Sequence, residues 1–311
     1  MSIRTLSQTS EGTKLALVFP GQGAQAQAMF AGIKHHPTFR RRYDLICDAI
    51  SMDVIGEVER GADALLHRNM ISSLMTALVC STSFDLFQAR HERVPDYLAG
   101  YSVGQWIALY VAQALTFADL VHTLIRRAQL MDGCIENVSC GMLGIIGVDA
   151  GRLEQLLAQL RCDGYPIYIT NYNCFAHTSI GGTTAAMAQA EPLIRRLNPK
   201  KIVPLPVSGA WHCPLLADAA RSFSAYLGEM TLLPTQIPIV DNVTAGWLPD
   251  ADIERKRCLS RHLCEPVRWE QGIRHLISSG ATSFVEVGYG TTLTKFGFFI
   301  SRDVSSEPFY M

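Results

Sequence analysis

The 311-residue sequence has no surplus of charge of either sign: 27 Lys and Arg stand against 28 Asp and Glu, a formal net charge of −1. A chain that binds nucleic acid needs basic side chains in excess and clustered on one face, so that class of partner is excluded. No apolar run approaches the roughly 18 residues that cross a bilayer, and no membrane partner is expected. The N-terminal segment MSIRTLSQTSEGTK contains no apolar stretch of the kind a secretory signal carries. Nine cysteines, an odd number with no C-x-x-C pair, argue against a disulfide framework. They read as reduced thiols of a cytoplasmic protein, each serving as a small buried hydrophobe. Internal repeats, low-complexity segments and Ser/Pro-rich linkers are also absent. The composition that remains is core-forming, with 48% hydrophobic and 18% charged residues. Those fractions exclude a disordered chain, and the length suits one large α/β unit or two domains.

The apolar run 15–19 predicts a buried strand that breaks at Pro20 into the turn Gly21-Gln22-Gly23-Ala24-Gln25. Helical stretches follow, one of them over 39–50. The spacing of Ile71, Leu74, Leu78, Phe84 and Phe87 predicts a buried helix over 70–89. A short strand at 97–99 leads through a sharp turn into helices over 103–112 and 117–131. Strand, turn and helix in this rhythm argue for a parallel sheet covered by helices. The pattern then changes. Strands at 142–148, 167–171, 178–181 and 201–206, with helices at 151–160 and 185–197, give the order β-α-β-β-α-β, which is ferredoxin-like. The expected organisation is a small domain, 139–207, inserted rigidly into a large one made of 1–138 and 208–311. The large domain resumes with helices at 216–230 and 269–279 and strands at 237–241 and 283–287.

Gly100-Tyr101-Ser102-Val103-Gly104 is a G-x-S-x-G elbow between predicted strand and helix. Its glycines permit a sharp turn that lifts the serine hydroxyl, and the Val103 amide at the helix start can face a developing oxyanion. The bland alternative is an ordinary turn serine. A serine nucleophile needs a base. Of nine histidines, His212 stands out in Ser208-Gly209-Ala210-Trp211-His212-Cys213-Pro214, a loop bounded by Gly and Pro. Its bland alternative is a capping or core histidine. His35, His36, His67 and His91 lie in polar helical stretches. No acidic residue offers itself as a third member.

Five motifs occur in order: Phe19-Pro20-Gly21-Gln22-Gly23-Ala24-Gln25, the elbow with Gln105, Arg127 in Arg-Ala-Gln-Leu-Met, the Gly-Ala-Trp-His loop, and Glu286-Val287-Gly288-Tyr289-Gly290. Together they resemble the malonyl-CoA:acyl-carrier-protein transacylase family, including the acyltransferase domains of polyketide synthases. The resemblance runs over about 15–297. It implies an α/β-hydrolase-like core with a ferredoxin-like insertion, in agreement with the pattern above. By the same resemblance Ser102 is the acylated nucleophile and His212 its base, with the main-chain carbonyl of His262 orienting the imidazole in place of an acid. The amides of Gln22 and Val103 would form the oxyanion hole. Arg127, facing inward while Arg126 is solvated, would clamp a malonyl carboxylate, since a planar guanidinium holds a carboxylate bidentately. Trp211 would restrict an α-methyl branch, and Gln25 would lie against substrate. No metal or redox cofactor is implied. Malonyl-CoA is the substrate, and a phosphopantetheinylated acyl carrier protein is the partner.

Some positions depart from the family pattern. Gln105 replaces the usual Glu, Tyr101 the usual His and Tyr289 the usual Pro, and Asn171-Tyr172-Asn173 lacks the Pro-Gly-Gln that usually follows. These changes leave the acceptor and pathway open among fatty acid, polyketide and malonate metabolism. Two other functions fit the same residues: a thioester hydrolase using the Ser-His pair, and a non-catalytic module that docks carrier proteins.

Overall fold

The computed structural model describes residues 13–309. The leaderless N-terminal segment expected from the sequence therefore lies, over 1–12, outside the described residues. In chain order the elements are β1 (Lys14–Phe19), α1 (Pro37–Ile50), α2 (Val54–Glu59), α3 (Asn69–His91), β2 (Tyr97–Gly100), α4 (Gly104–Val111) and α5 (Phe117–Cys134). Then come β3 (Cys140–Ile146), α6 (Ala150–Cys162), β4 (Ile167–Cys174), β5 (His177–Thr183), α7 (Thr184–Arg195) and β6 (Lys201–Pro204). The chain continues with α8 (Ala217–Glu229), β7 (Ile239–Val240), α9 (Asp252–Arg261), α10 (Trp269–Ser278), β8 (Ala281–Val287), α11 (Thr292–Ile300) and β9 (Ser305–Phe309).

Two sheets form. The first, in the order β7-β2-β1-β8-β9, is parallel at every pairing described. Its central strand β1 is buried on both faces, as its unbroken apolar run predicts. Leu15, Leu17 and Phe19 join one core with α3 and α4, while Ala16 and Val18 join another with Trp269, Leu276 and Phe284. Because β1 and β2 are in register from Ala16↔Tyr97 to Phe19↔Gly100, the glycine-rich turn and the serine elbow leave the same edge of the sheet side by side. Carboxyl ends of parallel strands are where such folds place their ligands.

The second sheet is antiparallel in the order β4-β5-β3-β6, and its chain order is β-α-β-β-α-β. Asp149 and Thr183 cap the helices of this unit, accepting from the amides of Arg152 at 3.0 Å and Ala186 at 3.2 Å. Ile145, Leu153, Leu157, Ile180 and Ile194 fill the space between those helices and the sheet. The fold is thus an α/β-hydrolase-like parallel core beside a ferredoxin-like antiparallel sheet. The two are stitched at β4, where Tyr172 N–H donates to the Val267 carbonyl at 2.8 Å and Val267 N–H to the Thr170 carbonyl at 2.9 Å.

The structure departs from the sequence reading in two ways. Helices α2, α9 and α11 and strand β9 were not foreseen. Helix α9, Asp-Ile-Glu-Arg-Lys-Arg-Cys-Leu-Ser-Arg, is too charged to show an apolar stripe, and β9 carries Pro308, which an edge strand tolerates. The other departure concerns membrane-length apolar runs: α3 is long and apolar enough by length and composition to cross a membrane. It is nevertheless the buried core helix that the apolar spacing predicts over 70–89, buried continuously from Ile71 to Ser83. The run escapes notice in the sequence because hydroxyl residues interrupt it. Inside the helix Ser81 and Thr82 satisfy themselves on the Leu78 carbonyl and Ser83 on the Val79 carbonyl.

Candidate active site

The elbow is built by steric necessity. A Cβ on Gly100 would lie 2.0 Å from the Gly104 carbonyl, and one on Gly104 would lie 2.2 Å from the Phe19 carbonyl oxygen. Between them Ser102 adopts φ +55°, a left-handed conformation unusual for a residue with a side chain. Asn242, just after β7, clamps both sides of the turn. Its Oδ1 accepts from the Ser102 amide at 2.9 Å and its Nδ2 donates to the Gly100 carbonyl at 2.6 Å.

His212 also has a positive φ, +58°, and is buried. Its Nε2 lies 2.7 Å from Ser102 Oγ, and its Nδ1 lies 2.7 Å from the carbonyl oxygen of His262. A carbonyl only accepts, so Nδ1 carries the proton and Nε2 presents its lone pair to the serine hydroxyl. The main chain therefore does what a carboxylate does in other triads, which is why no acid was legible. Burial and the nearby Arg127 guanidinium pull His212 down to about 3, against the opposing pull of the His262 carbonyl. The ring of His262 stacks on that of His212, centroids 4.7 Å apart, and is fully buried. Burial, then His212 and Arg127, hold it well below the ordinary imidazole range.

The turn after β1 closes over this pair. A Cβ on Gly21 would meet the Tyr101 carbonyl oxygen at 2.8 Å and Ser102 Cβ at 3.4 Å. The Gln22 side chain is anchored away from the site, with Nε2 donating to Asn69 O at 2.9 Å, Asn69 Oδ1 at 3.0 Å and Ser73 Oγ at 2.9 Å. Neither the Gln22 amide nor the Val103 amide has an acceptor among the described residues. Both are free for an oxyanion.

Arg127 is 1% exposed on the inner face of α5, whereas Arg126 is exposed, so the two arginines divide as expected. Arg127 Nε and Nη1 are buried with no acceptor among the described residues. Burial lowers Arg127 to about 10, with Asp132 opposing, and it therefore stays charged at neutral pH. Trp211 is buried beside His212, packed so closely over Gly209 that a Cβ there would lie 2.5 Å from its ring. Gln25 braces the turn: its Oε1 accepts from Gly23 N–H at 2.7 Å and its Nε2 donates to Thr76 Oγ1 at 2.8 Å. Glu286 likewise serves the framework, accepting from the amides of Leu293 at 3.1 Å and Thr294 at 2.8 Å at the start of α11. A cleft of about 370 Å³ between the two sheets opens beside the elbow, lined by Gly21, Gln22 and Tyr101 and walled by His177, Ser179, Leu205 and Phe296.

No protein-family model matches the chain. A malonyl CoA-acyl carrier protein transacylase of Bacillus subtilis (strain 168) is 31% identical over 288 residues, covering 91% of this chain and 89% of that protein. The chain belongs to the malonyl-CoA:acyl-carrier-protein transacylase family. It is therefore an acyltransferase. The crystal structure of an acyl-carrier-protein S-malonyltransferase from Burkholderia pseudomallei 1710b superimposes with a TM-score of 0.90 at 26% identity, covering 96% of each chain. A malonyl-transacylase in complex with its type II polyketide synthase acyl-carrier protein shares the fold, with a TM-score of 0.89 at 24% identity and 95% of each chain covered.

Within this transacylase family the departures acquire structural partners. Gln105, in place of the usual Glu, donates from Nε2 to Asp241 Oδ1 at 3.0 Å and accepts from the Asn242 amide at 3.2 Å. A glutamine at this buried position has both the donor that Asp241 requires and the acceptor that Asn242 requires. Tyr101, in place of the usual His, donates its hydroxyl to Asn173 Oδ1 at 2.7 Å, and Asn173 Nδ2 donates to Ser179 Oγ at 3.1 Å. The elbow is thereby tied to the antiparallel sheet. Asn242, Asn69 and Ser73 escape sequence reasoning. The one signal pointing to Asn242 is its place right after a short apolar strand, at the carboxyl edge that carries the elbow.

Proposed function

We propose that this acyltransferase moves a malonyl group from malonyl-CoA to the phosphopantetheine thiol of an acyl carrier protein, through a malonyl ester on Ser102. The observation that carries the reading is an unpaired, buried arginine next to an assembled Ser-His-carbonyl chain. Arg127 is poised for a carboxylate that the protein itself does not supply.

His212 Nε2 takes the Ser102 proton as Oγ bonds to the thioester carbon. The oxyanion so formed lies between the Gln22 and Val103 amides. It collapses, the carbon–sulfur bond breaks, and the CoA thiolate leaves with the proton that His212 carried. The carrier thiol then gives its proton to His212, attacks the ester carbon and releases Ser102, which regains the proton. Arg127 holds the malonyl carboxylate throughout, and Trp211 lines the space beside His212. The steps call on no cofactor beyond the CoA of the substrate, and we place them in the cytoplasm. The names of the Bacillus subtilis relative and of the carrier-bound neighbour support both substrates.

The test separates transfer from hydrolysis with the same catalytic pair. Malonyl-enzyme isolated after loading should persist for minutes in buffer and discharge within seconds of adding a holo carrier protein. Discharge to free malonate at a rate indifferent to any carrier would overturn transfer in favour of hydrolysis.

A further inference from the structure

Helix α11 supplies Thr292, Leu293, Lys295 and Phe296 to the wall of the cleft that opens beside the Ser102 elbow. At 3.6 residues per turn, Phe299 lies three residues after Phe296 and four after Lys295, so it continues the same stripe one turn outward. It is 62% exposed, and Phe298 beside it is 52% exposed. Their rings meet edge to face at 5.5 Å, and the Arg302 guanidinium stands 5.0 Å over Phe298. On the facing wall, the His177 ring packs edge-on against Phe296 at 5.2 Å, and the β4–β5 turn just before it carries Phe175, 77% exposed. Single exposed apolar side chains are ordinary, but phenylalanines gathered on the rim of one cleft mark an interaction surface.

We infer that this aromatic rim is the docking surface for the carrier protein, which engages it through an apolar helical face next to its phosphopantetheine-bearing serine. The inference rests on the proposed transfer function. The arm must enter by the cleft, so the body of the carrier stands at its mouth. A second copy of the chain seated there would close the cleft to both substrates. Aromatic rings with an arginine are the residue types that anchor interface cores, so the exposed phenylalanines carry the contact, with Arg302 beside them.

The experiment measures both half-reactions for wild type, the double variant Phe298→Ser/Phe299→Ser, and Phe175→Ser. The probes are malonyl-CoA and a set of holo carrier proteins of fatty-acid and polyketide type, of which the best acceptor for wild type is carried forward. All three positions are exposed, and thermal melting of each variant checks the fold. Loading of Ser102 from malonyl-CoA should proceed at the wild-type rate. KM for the carrier should rise about tenfold or more in the double variant, with kcat at saturating carrier little changed. An unchanged carrier KM in both variants would overturn the proposal. So would a wild-type dimer in light scattering that the double variant abolishes while carrier KM stays fixed, because the rim would then belong to a second copy. Loading of wild-type Ser102 with no carrier charged would instead overturn the transfer reading itself.

Discussion

At the residue scale, Ser102 is paired with an imidazole kept neutral where an imidazolium is costly. His212 is held near 3 by burial and by Arg127, so Nε2 is unprotonated across the whole neutral range. The rate of Ser102 loading should therefore show no inflection near the ordinary imidazole value, about 6.5, when followed by rapid quench from pH 5 to 8. A protonation step centred there would contradict the assignment of this ring in this environment. The same electrostatics gives the malonyl carboxylate two roles. It pairs with Arg127, and by offsetting that positive charge it eases formation of the imidazolium in the transition state. Charge-assisted hydrogen bonds contribute about 1.5–3 kcal/mol, so malonyl-CoA should exceed acetyl-CoA in kcat/KM by roughly tenfold to a hundredfold or more. Arg127→Ala should remove most of that preference. If it still rejects acetyl-CoA as wild type does, the clamp lies elsewhere. Exposed Arg126 is a poor substitute.

At the element scale the elbow is a turn held from outside itself. Asn242→Ala would leave the Ser102 amide and the Gly100 carbonyl buried and unpaired, at about 1–3 kcal/mol for each group. Steady-state kinetics should show kcat for malonyl transfer falling at least tenfold with KM for malonyl-CoA little changed. Equal loss in both parameters would mean that Asn242 shapes binding rather than the nucleophile. This clamp marks the limit of what was legible. The elbow and the β1 turn were readable because their glycines are demanded by local sterics, whereas Arg127 was set apart from Arg126 only through the family resemblance. His212 stood out by its Gly- and Pro-bounded loop. Its orienting carbonyl at His262 came only through the family resemblance, since a carbonyl belongs to every residue and leaves no trace in side-chain chemistry. Asn242 and Asn69 were missed because they act across 140 and 47 residues of chain, on Ser102 and Gln22 respectively. The bonds of Gln25 to Gly23 and Thr76 were not legible because a motif shows that a residue belongs near a site without showing which way its side chain turns. Helix α9 and strand β9 failed for another reason: charge and an edge proline hide elements whose stability comes from tertiary packing.

At the scale of the whole molecule, several histidines make the fold sensitive to acid. His212, His262 and His177 are all lowered by burial, so below about pH 6.5 the unfolded chain binds protons that the folded chain refuses. Stability is then lost as pH falls from 6.5 toward the folded values, with His212 alone accounting for about 2 kcal/mol by pH 5. The melting temperature of wild type should drop between pH 7 and 5, and that of His262→Gln, which keeps the carbonyl, should drop less. Equal slopes would place the acid sensitivity in other groups. The two sheets face each other across the cleft, joined at Tyr101, Asn173 and Val267, and both halves of the proposed reaction converge there on one hydroxyl. The most direct test is the intact mass of the enzyme, quenched after malonyl-CoA and again after a holo carrier protein is added. A single malonyl adduct on wild type, located by peptide mapping at Ser102, absent from Ser102→Ala and removed by the carrier, is the result predicted here. An adduct that survives in Ser102→Ala, or a wild type that never acquires one, would contradict it.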